Sequence, residues 1–209
     1  MNLTVFGATG LTGNLVVELA LTAGHQVTVL TRNASKFKSH HPNLKVLQGD
    51  ACSYADVEKA LIGSDVVIHC LGIGGKGKGE QESIVSDSVK AVISAMQKTG
   101  TTRIICMSNI GAGDSGTWFY KRVVLPIFLR WLKPIIRDKN EMEAALISSR
   151  VEWISVRLPN IVPGPAKPIR TSIDGKNLRF SITASSVAKF LLDQIDQNRW
   201  LRLTPSVSN

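Results

Sequence analysis

Near its start the chain reads Gly7-Ala8-Thr9-Gly10-Leu11-Thr12-Gly13, a glycine-rich turn between two apolar segments. Residues 2–6 before it predict a β-strand, and residues 14–22 after it carry apolar side chains at the spacing of one helix face. Residues 26–30 predict a second strand. A glycine-rich turn inside a strand–helix–strand unit of about thirty residues is the context in which such a turn binds a dinucleotide.

Each glycine of this turn has its own physical task. Gly7 permits a tight turn, Gly10 lets the backbone approach a pyrophosphate, and Gly13 lets the helix pack closely on the strand. The helix N-terminus offers unpaired N–H groups and a partial positive charge to phosphates. The residues predicted to bind the cofactor here are Gly7, Thr9, Gly10, Leu11, Thr12 and Gly13. The alternative is a strand–helix turn that binds nothing.

The end of the second strand indicates which dinucleotide is bound. NAD-selective units usually carry Asp or Glu there for the ribose 2′-hydroxyl. This chain has Thr31-Arg32-Asn33, with Lys36 one turn further on. A guanidinium and an ammonium favour the 2′-phosphate of NADP. The alternative for Arg32 is a solvated surface arginine.

The rest of the chain repeats the alternation of strand and helix. Strands are predicted at 44–47, 65–71, 103–107, 153–157 and 178–182, and helices at 56–62, 83–98, 141–148 and 185–194, the last capped by Ser185 or Ser186. This alternation predicts an α/β fold, a doubly wound and mostly parallel sheet with helices on both faces. We expect one NAD(P)-binding domain over 1–209, in which 108–209 contribute the substrate-side loops.

Composition limits the class of protein. The chain has 209 residues, 44% of them hydrophobic and 20% charged, which is ordinary for a globular protein. No apolar stretch approaches the roughly 18 residues that span a bilayer, and residues 2–6 are too short for a cleaved export signal. Three cysteines lack metal-ligand spacing, so reduced thiols, no metal site and a cytoplasmic location are expected.

The formal net charge of +9 is compatible with nucleic acid, an anionic surface or acidic small molecules. The basic residues are dispersed among several segments, and no nucleic-acid-binding module is recognisable. We therefore expect a basic surface, a small-molecule substrate, no nucleic acid, and a monomer or weak dimer.

Further motifs follow the predicted strands in a fixed order. They are Arg32 after the second strand, Gly49-Asp50 after the third, Leu71-Gly72 after the fourth, Met107-Ser108 after the fifth and Arg157-Leu158-Pro159-Asn160 after the sixth. Together with the glycine turn they resemble the atypical short-chain dehydrogenase/reductases, specifically the NmrA-like and biliverdin-IXβ/flavin reductase branch. The resemblance covers nearly the whole chain.

The resemblance implies roles for these positions. Asp50, with Ala51 beside it, would accept a hydrogen bond from the adenine amino group. Leu71 and Gly72 would border the adenosine and the pyrophosphate. Ser108 would stand near the nicotinamide as a catalytic residue, and Pro159, Asn160 and Ile161 would back the nicotinamide ring. Met107, beside Ser108, is a further implied cofactor-binding residue. The alternatives are a helix cap for Asp50 and an ordinary strand-end hydroxyl for Ser108.

One position departs from that superfamily. Its typical members act with a tyrosine four residues before a lysine, but here Ile135 precedes Lys139. Lys139 would still hold the nicotinamide ribose as a second catalytic residue, or would be a cation at a helix start. The resemblance therefore predicts an NADPH-dependent reductase of a planar conjugated acceptor, such as FMN or a linear tetrapyrrole. The alternative is a non-catalytic NADP-binding redox sensor, regulator or assembly factor.

Residues 118–136 are aromatic, apolar and basic at once. Pro126 and Pro134 are expected to break the segment into short helices. One hypothesis makes it a lid in which Trp118 and Phe119 stack on the substrate. A second makes it a contact surface for a membrane or a partner, and a third a helical excursion packed on the body.

Overall fold

The computed structural model describes residues 1–37, 40–72, 83–113, 133–175 and 177–209. Its strands are β1 Asn2–Phe6, β2 Gln26–Thr31, β3 Leu44–Gln48, β4 Val66–His69, β5 Arg103–Asn109, β6 Glu152–Leu158, β7 Asn160–Val162, β8 Arg170–Ser172, β9 Ser181–Thr183 and β10 Ser206–Ser208. Its helices are α1 Leu11–Thr22, α2 Tyr54–Leu61, α3 Ile84–Thr99, α4 Lys133–Ser148 and α5 Ala184–Asp193, with a single 3-10 turn at Ala34–Lys36.

The main sheet has the strand order β3-β2-β1-β4-β5-β6-β10-β8. The first six strands in this order, from β3 through β1 to β6, are parallel to one another. Strand β10 continues the parallel sheet beside β6. Strand β8 is antiparallel at the edge, while β7 and β9 form a separate parallel pair. The order reverses between β1 and β4, which opens a crevice at their carboxyl ends. The predicted doubly wound α/β fold is therefore confirmed.

Both faces of the sheet are covered by helices. One core lies between the sheet and helices α1 and α5, and the other between the sheet and helices α2, α3 and α4. Strand β4 is buried at every residue, as its continuous apolar sequence predicts for a parallel strand covered on both sides. Within the described ranges, no helix is both long enough and apolar enough to cross a membrane.

Several predicted boundaries are wrong near the second half of the chain. Helix α4 runs from Lys133, eight residues before the predicted start at 141. Pro134 lies in the first described turn of α4, where a missing N–H is tolerated, and the predicted break of residues 118–136 at Pro126 and Pro134 falls largely outside the described residues. Thr183, and neither Ser185 nor Ser186, occupies the N-cap position of α5. Strands of only three residues, β7, β8 and β10, were not predicted.

Candidate functional site

The glycine turn brings β1 against the end of β4. Gly7 has φ +77°, and a Cβ built on it would lie 2.7 Å from the carbonyl of Cys70. A Cβ on Gly13 would collide with the carbonyl oxygen of Gly7. Both positions therefore exclude any side chain, and the turn can pack closely only with glycine there.

The N-terminus of α1 is open toward the crevice. Gly10 is its N-cap residue, no side chain among the described residues caps the helix, and no acidic residue stands in its first turn. A Cβ on Gly10 would meet only the Gly7 oxygen, at 3.3 Å. Thr9, Gly10 and Leu11 are exposed, and Thr12 is buried. The uncapped N–H groups and the helix dipole fit the diphosphate of a dinucleotide.

Arg32 lies on the surface directly after β2, at the same edge of the sheet. The following Asn33 accepts a hydrogen bond from the Ser35 N–H at 3.0 Å and so caps the 3-10 turn. The side chain of Lys36 lies outside what the structure describes. A 2′-phosphate contact from Arg32 and Lys36 stays a prediction.

Asp50 lies exposed after β3, at the carboxyl edge shared with β1 and β2. Its Oδ1 accepts a hydrogen bond from the Cys52 N–H at 3.0 Å. Helix α2 is capped by Ser53, whose hydroxyl accepts from the Asp56 N–H, so the alternative that Asp50 is that cap is wrong. Ala51 is half-buried beside it. The adenine contact stays a prediction.

Lys139 joins the ends of two strands in the middle of the sheet. It is 3% exposed, and its Nζ donates to the Met107 carbonyl at 2.6 Å and to the Leu71 carbonyl at 3.2 Å. Burial lowers the pKa of its ammonium to about 8. Lys139 lies well inside α4, so the alternative of a helix-start cation is wrong. Its predicted contact with the nicotinamide ribose stays a prediction. Gly72, next to Leu71, is exposed at the crevice.

Ser108 belongs to a buried ionic network that the sequence analysis missed. Ser108 is 2% exposed, and its hydroxyl donates to Glu143 Oε1 at 2.8 Å. Ser155 Oγ donates to the same oxygen at 3.1 Å, as does Arg157 Nε at 3.1 Å, and Arg157 Nη2 donates to Oε2 at 2.8 Å. An arginine inside the apolar strand β6 and a glutamate four residues after Lys139 are the sequence signals of this pair.

A second buried carboxylate fixes α4 against α3. Asp138 is buried, and its two oxygens accept from the Ser86 N–H at 2.8 Å and the Val85 N–H at 3.0 Å. These are first-turn N–H groups of α3, which lack partners within the helix. Asp138 thus caps α3 from another helix and places its neighbour Lys139 at the ends of β4 and β5. No pattern in the sequence predicted this role of Asp138 either.

The remaining predicted positions lie around the end of β6. Pro159 is half-buried, Asn160 is exposed and Ile161 pairs with Ile182 in the β7–β9 ladder. Their predicted contact with the nicotinamide ring stays a prediction. Trp118 and Phe119 lie outside the described residues, together with nearly all of the aromatic basic segment.

A family model described as NAD(P)H-binding matches residues 7–198. The chain belongs to this NAD(P)H-binding family. The match begins at the first glycine of the turn and runs through both halves of the sheet, so binding of a nicotinamide dinucleotide is a property of the family to which the chain belongs.

Relatives of known sequence match only in part. An uncharacterised protein of Mycobacterium tuberculosis is 31% identical over 109 residues, which is 52% of this chain and 12% of that protein. An uncharacterised protein of Saccharomyces cerevisiae is 36% identical over 72 residues, 33% of this chain and 24% of that protein. The matches thus span less than a quarter of either relative.

Solved structures share the whole fold at low sequence identity. The anaerobilin reductase ChuY of Escherichia coli O157:H7 has a TM-score of 0.81 and 21% identity, covering 100% of this chain and 97% of its own. The oxidoreductase ylbE of Lactococcus lactis has a TM-score of 0.81 and 19% identity, covering 100% and 91%. A Rossmann-fold NAD(P)-binding family protein of Shigella flexneri has a TM-score of 0.72 and 21% identity, covering 100% and 93%. These similarities show the Rossmann-like fold.

Proposed function

We propose that this protein is an NADPH-dependent reductase that transfers hydride to a planar conjugated acceptor such as FMN or a linear tetrapyrrole. The observation that carries the proposal is the pair formed by Ile135 and Lys139 on α4. Lys139 lies at the ends of β4 and β5, while the position one helical turn before it holds an apolar, half-buried side chain. This cation would lie at the reacting end, and the position one helical turn before it lacks the tyrosine hydroxyl that typical members of the resembled superfamily use as the acid.

The residues at the crevice fit NADPH. The N–H groups of the first turn of α1 would bind the diphosphate, Arg32 the 2′-phosphate and Asp50 the adenine amino group. A charge-assisted hydrogen bond contributes roughly 1.5–3 kcal/mol, about tenfold to a hundredfold in affinity for NADPH over NADH. The bound cofactor supplies the hydride.

A conjugated acceptor suits this site because the charge that develops during hydride transfer spreads over a large π-system. The proton can then come from water, and the protein contributes proximity and orientation. One fold neighbour is named as an anaerobilin reductase, and reduction of a conjugated bilin is chemistry of the proposed kind. We further propose that residues 1–209 act as one domain in which 108–209 form the substrate side.

The test is an anaerobic assay with purified protein, NADPH and FMN. We expect the absorbance at 340 nm and at 450 nm to fall together, one NADPH consumed per FMN reduced, with saturation in both reactants. Gly10→Val is the control that we expect to be inactive, because its side chain would project toward the proposed diphosphate position. Rates equal to those of buffer alone, for FMN and for biliverdin as acceptors, would rule the reductase out.

A second candidate is a non-catalytic NADP-binding sensor. It is favoured by the burial of Ser108 and Lys139, whose polar groups are bonded to Glu143 and to two main-chain carbonyls. Saturable NADPH binding without turnover of either acceptor would support the sensor. Turnover that saturates would exclude it.

A further inference from the structure

The last two residues of β5 differ in what their side chains do. Ser108 is buried against α4, where its hydroxyl donates to Glu143 at 2.8 Å. Successive side chains of a strand point to opposite faces, so Asn109 points away from α4. Asn109 ends β5 at the carboxyl edge of the sheet, opposite Leu158 in the register, and is half-buried.

The hydroxyl of Ser108 is committed to the ionic network. The carboxylate of Glu143 is almost fully buried, and its Oε1 accepts from Ser108, Ser155 and Arg157. Turning the Ser108 hydroxyl toward a ligand would remove one donor from a buried charge, which costs more than an ordinary hydrogen bond returns. Ser108 is thus a structural link between β5, α4 and β6.

Asn109 has the opposite character. Its main chain is held, since the Ala112 N–H donates to the Asn109 carbonyl at 3.1 Å and the next N–H, of Ile110, donates to the Leu158 carbonyl at 2.9 Å. Its side-chain amide, in contrast, forms no hydrogen bond with any part of the chain that the structure describes. A rigid backbone carrying a half-buried amide with unused donors is the arrangement of a group that is ready for a ligand.

We propose that Asn109 is the residue that contacts the acceptor, and that its amide N–H donates to the oxygen or nitrogen atom on which negative charge develops as hydride arrives. This inference rests on the proposed reductase function. It assigns the acceptor contact to Asn109, whereas the resemblance implied a catalytic role near the nicotinamide for Ser108, because the Asn109 side chain, unlike that of Ser108, is free to turn toward the crevice at the ends of β5 and β6.

The experiment compares Asn109→Ala, Asn109→Asp and Ser108→Ala with Asn43→Ala. Asn43 is the matched control, since it lies before β3 at the amino end of the strands, far from the crevice. Three quantities are measured for each protein: kcat/KM for FMN with NADPH, the Kd of FMN for the protein loaded with NADP⁺, and the Tm.

For Asn109→Ala we expect kcat/KM to fall roughly tenfold to a hundredfold, the size of one hydrogen bond to a charged group. The Kd of FMN should rise less, because the contact strengthens as charge develops, and Tm should change little. Asn109→Asp should lower kcat/KM further than Asn109→Ala does, since a carboxylate repels the negative charge that develops on the acceptor. Ser108→Ala should lower Tm and reduce kcat/KM less than Asn109→Ala does.

Kinetics of Asn109→Ala equal to those of Asn43→Ala, or a larger kinetic loss in Ser108→Ala than in Asn109→Ala, would overturn the inference while leaving the reductase intact. If wild type binds FMN but does not oxidise NADPH, the reductase fails, and an unchanged FMN Kd in Asn109→Ala then overturns the contact separately. Neither binding nor turnover of FMN by wild type would overturn both.

Discussion

The two halves of the crevice are built in different ways. At the ends of β2 and β3, Arg32 and Asp50 are exposed, and the side chains of Asn33 and Asp50 each accept a hydrogen bond from an N–H group two positions further along the chain. At the ends of β4, β5 and β6, Lys139 and Ser108 are nearly inaccessible. Their partners Leu71 and Glu143 lie 68 and 35 residues away in the chain.

This difference indicates that one half of the crevice is suited to ligand binding and that the other half contributes to the stability of the fold. In the half that we propose to bind the adenosine and the diphosphate (the adenosine half), the expected ligand contacts come from exposed side chains and from main-chain N–H groups at the start of α1. In the half that we propose to hold the reacting groups, buried charges hold α4 against β5 and β6, so we expect their substitution to destabilise the protein more than it affects ligand binding. Four experiments can break or sharpen this comparison.

The largest effect is expected for Glu143→Ala, which leaves Arg157 buried without its carboxylate. Breaking such a pair costs about 3–5 kcal/mol, and the loss should be measured as a lower free energy of unfolding in urea. The control is the double variant Glu143→Leu/Arg157→Met, which replaces both charges and should recover most of the stability. A single variant within 1 kcal/mol of wild type, roughly the effect of a surface substitution, would contradict a supporting role.

In the adenosine half, Gly10→Val should leave Tm nearly unchanged and raise the Kd of NADPH by about a hundredfold, or ~2.7 kcal/mol. A Cβ at this position would lie 3.3 Å from the Gly7 carbonyl oxygen, a tight contact that needs a shift of a few tenths of an ångström, and the rest of the valine would project toward the proposed diphosphate position. Gly13→Ala provides the contrast, because its Cβ collides with Gly7 and should lower Tm. If calorimetry gave Gly10→Val the same Kd for NADPH as wild type, the diphosphate would not bind at the N-terminus of α1.

Arg32→Ala should weaken the binding of NADPH by roughly tenfold to a hundredfold and the binding of NADH far less, since only NADPH carries the 2′-phosphate. The matched control is Arg150→Ala, an exposed arginine at the amino end of β6. Calorimetric Kd values for both cofactors give the comparison. Equal losses for NADPH and NADH would remove the 2′-phosphate role of Arg32.

The smallest effect is a pH dependence from Lys139. Burial lowers the pKa of its ammonium to about 8 in the folded protein, whereas the unfolded chain keeps the proton to about 10.5. The unfolded state binds more protons between these values, so the free energy of unfolding should rise with pH there, by at most about 1.4 kcal/mol per unit.

The measurement is the difference in unfolding free energy between wild type and Lys139→Met, taken on both sides of pH 8. The free energy of unfolding of wild type should increase relative to that of Lys139→Met as the pH rises. Taking the difference between the two proteins cancels the contributions of the other titrating groups. If the difference in unfolding free energy stayed constant, or decreased for wild type, as the pH rose, burial would not destabilise the charged form of Lys139.

The same contrast explains what the sequence could predict. The glycine turn and the succession of the first six strands along the chain follow from local spacing, and the fold agrees with them, while the role of Arg32 stays a prediction. Glu143 and Asp138 act through partners that are distant in the chain, and no spacing rule reveals such contacts. The start of α4 was missed because residues 118–136 mix prolines with apolar residues, and β8 and β10 because three-residue strands carry too short an alternation to detect.

The central claim is that the chain binds NADPH through the α1 N-terminus and Arg32, and calorimetric titration of wild-type protein with NADPH and with NADH tests it most directly. We expect saturable 1:1 binding of NADPH and roughly tenfold to a hundredfold weaker binding of NADH. Absence of a binding heat with millimolar NADPH, or equal affinity for the two cofactors, would contradict it.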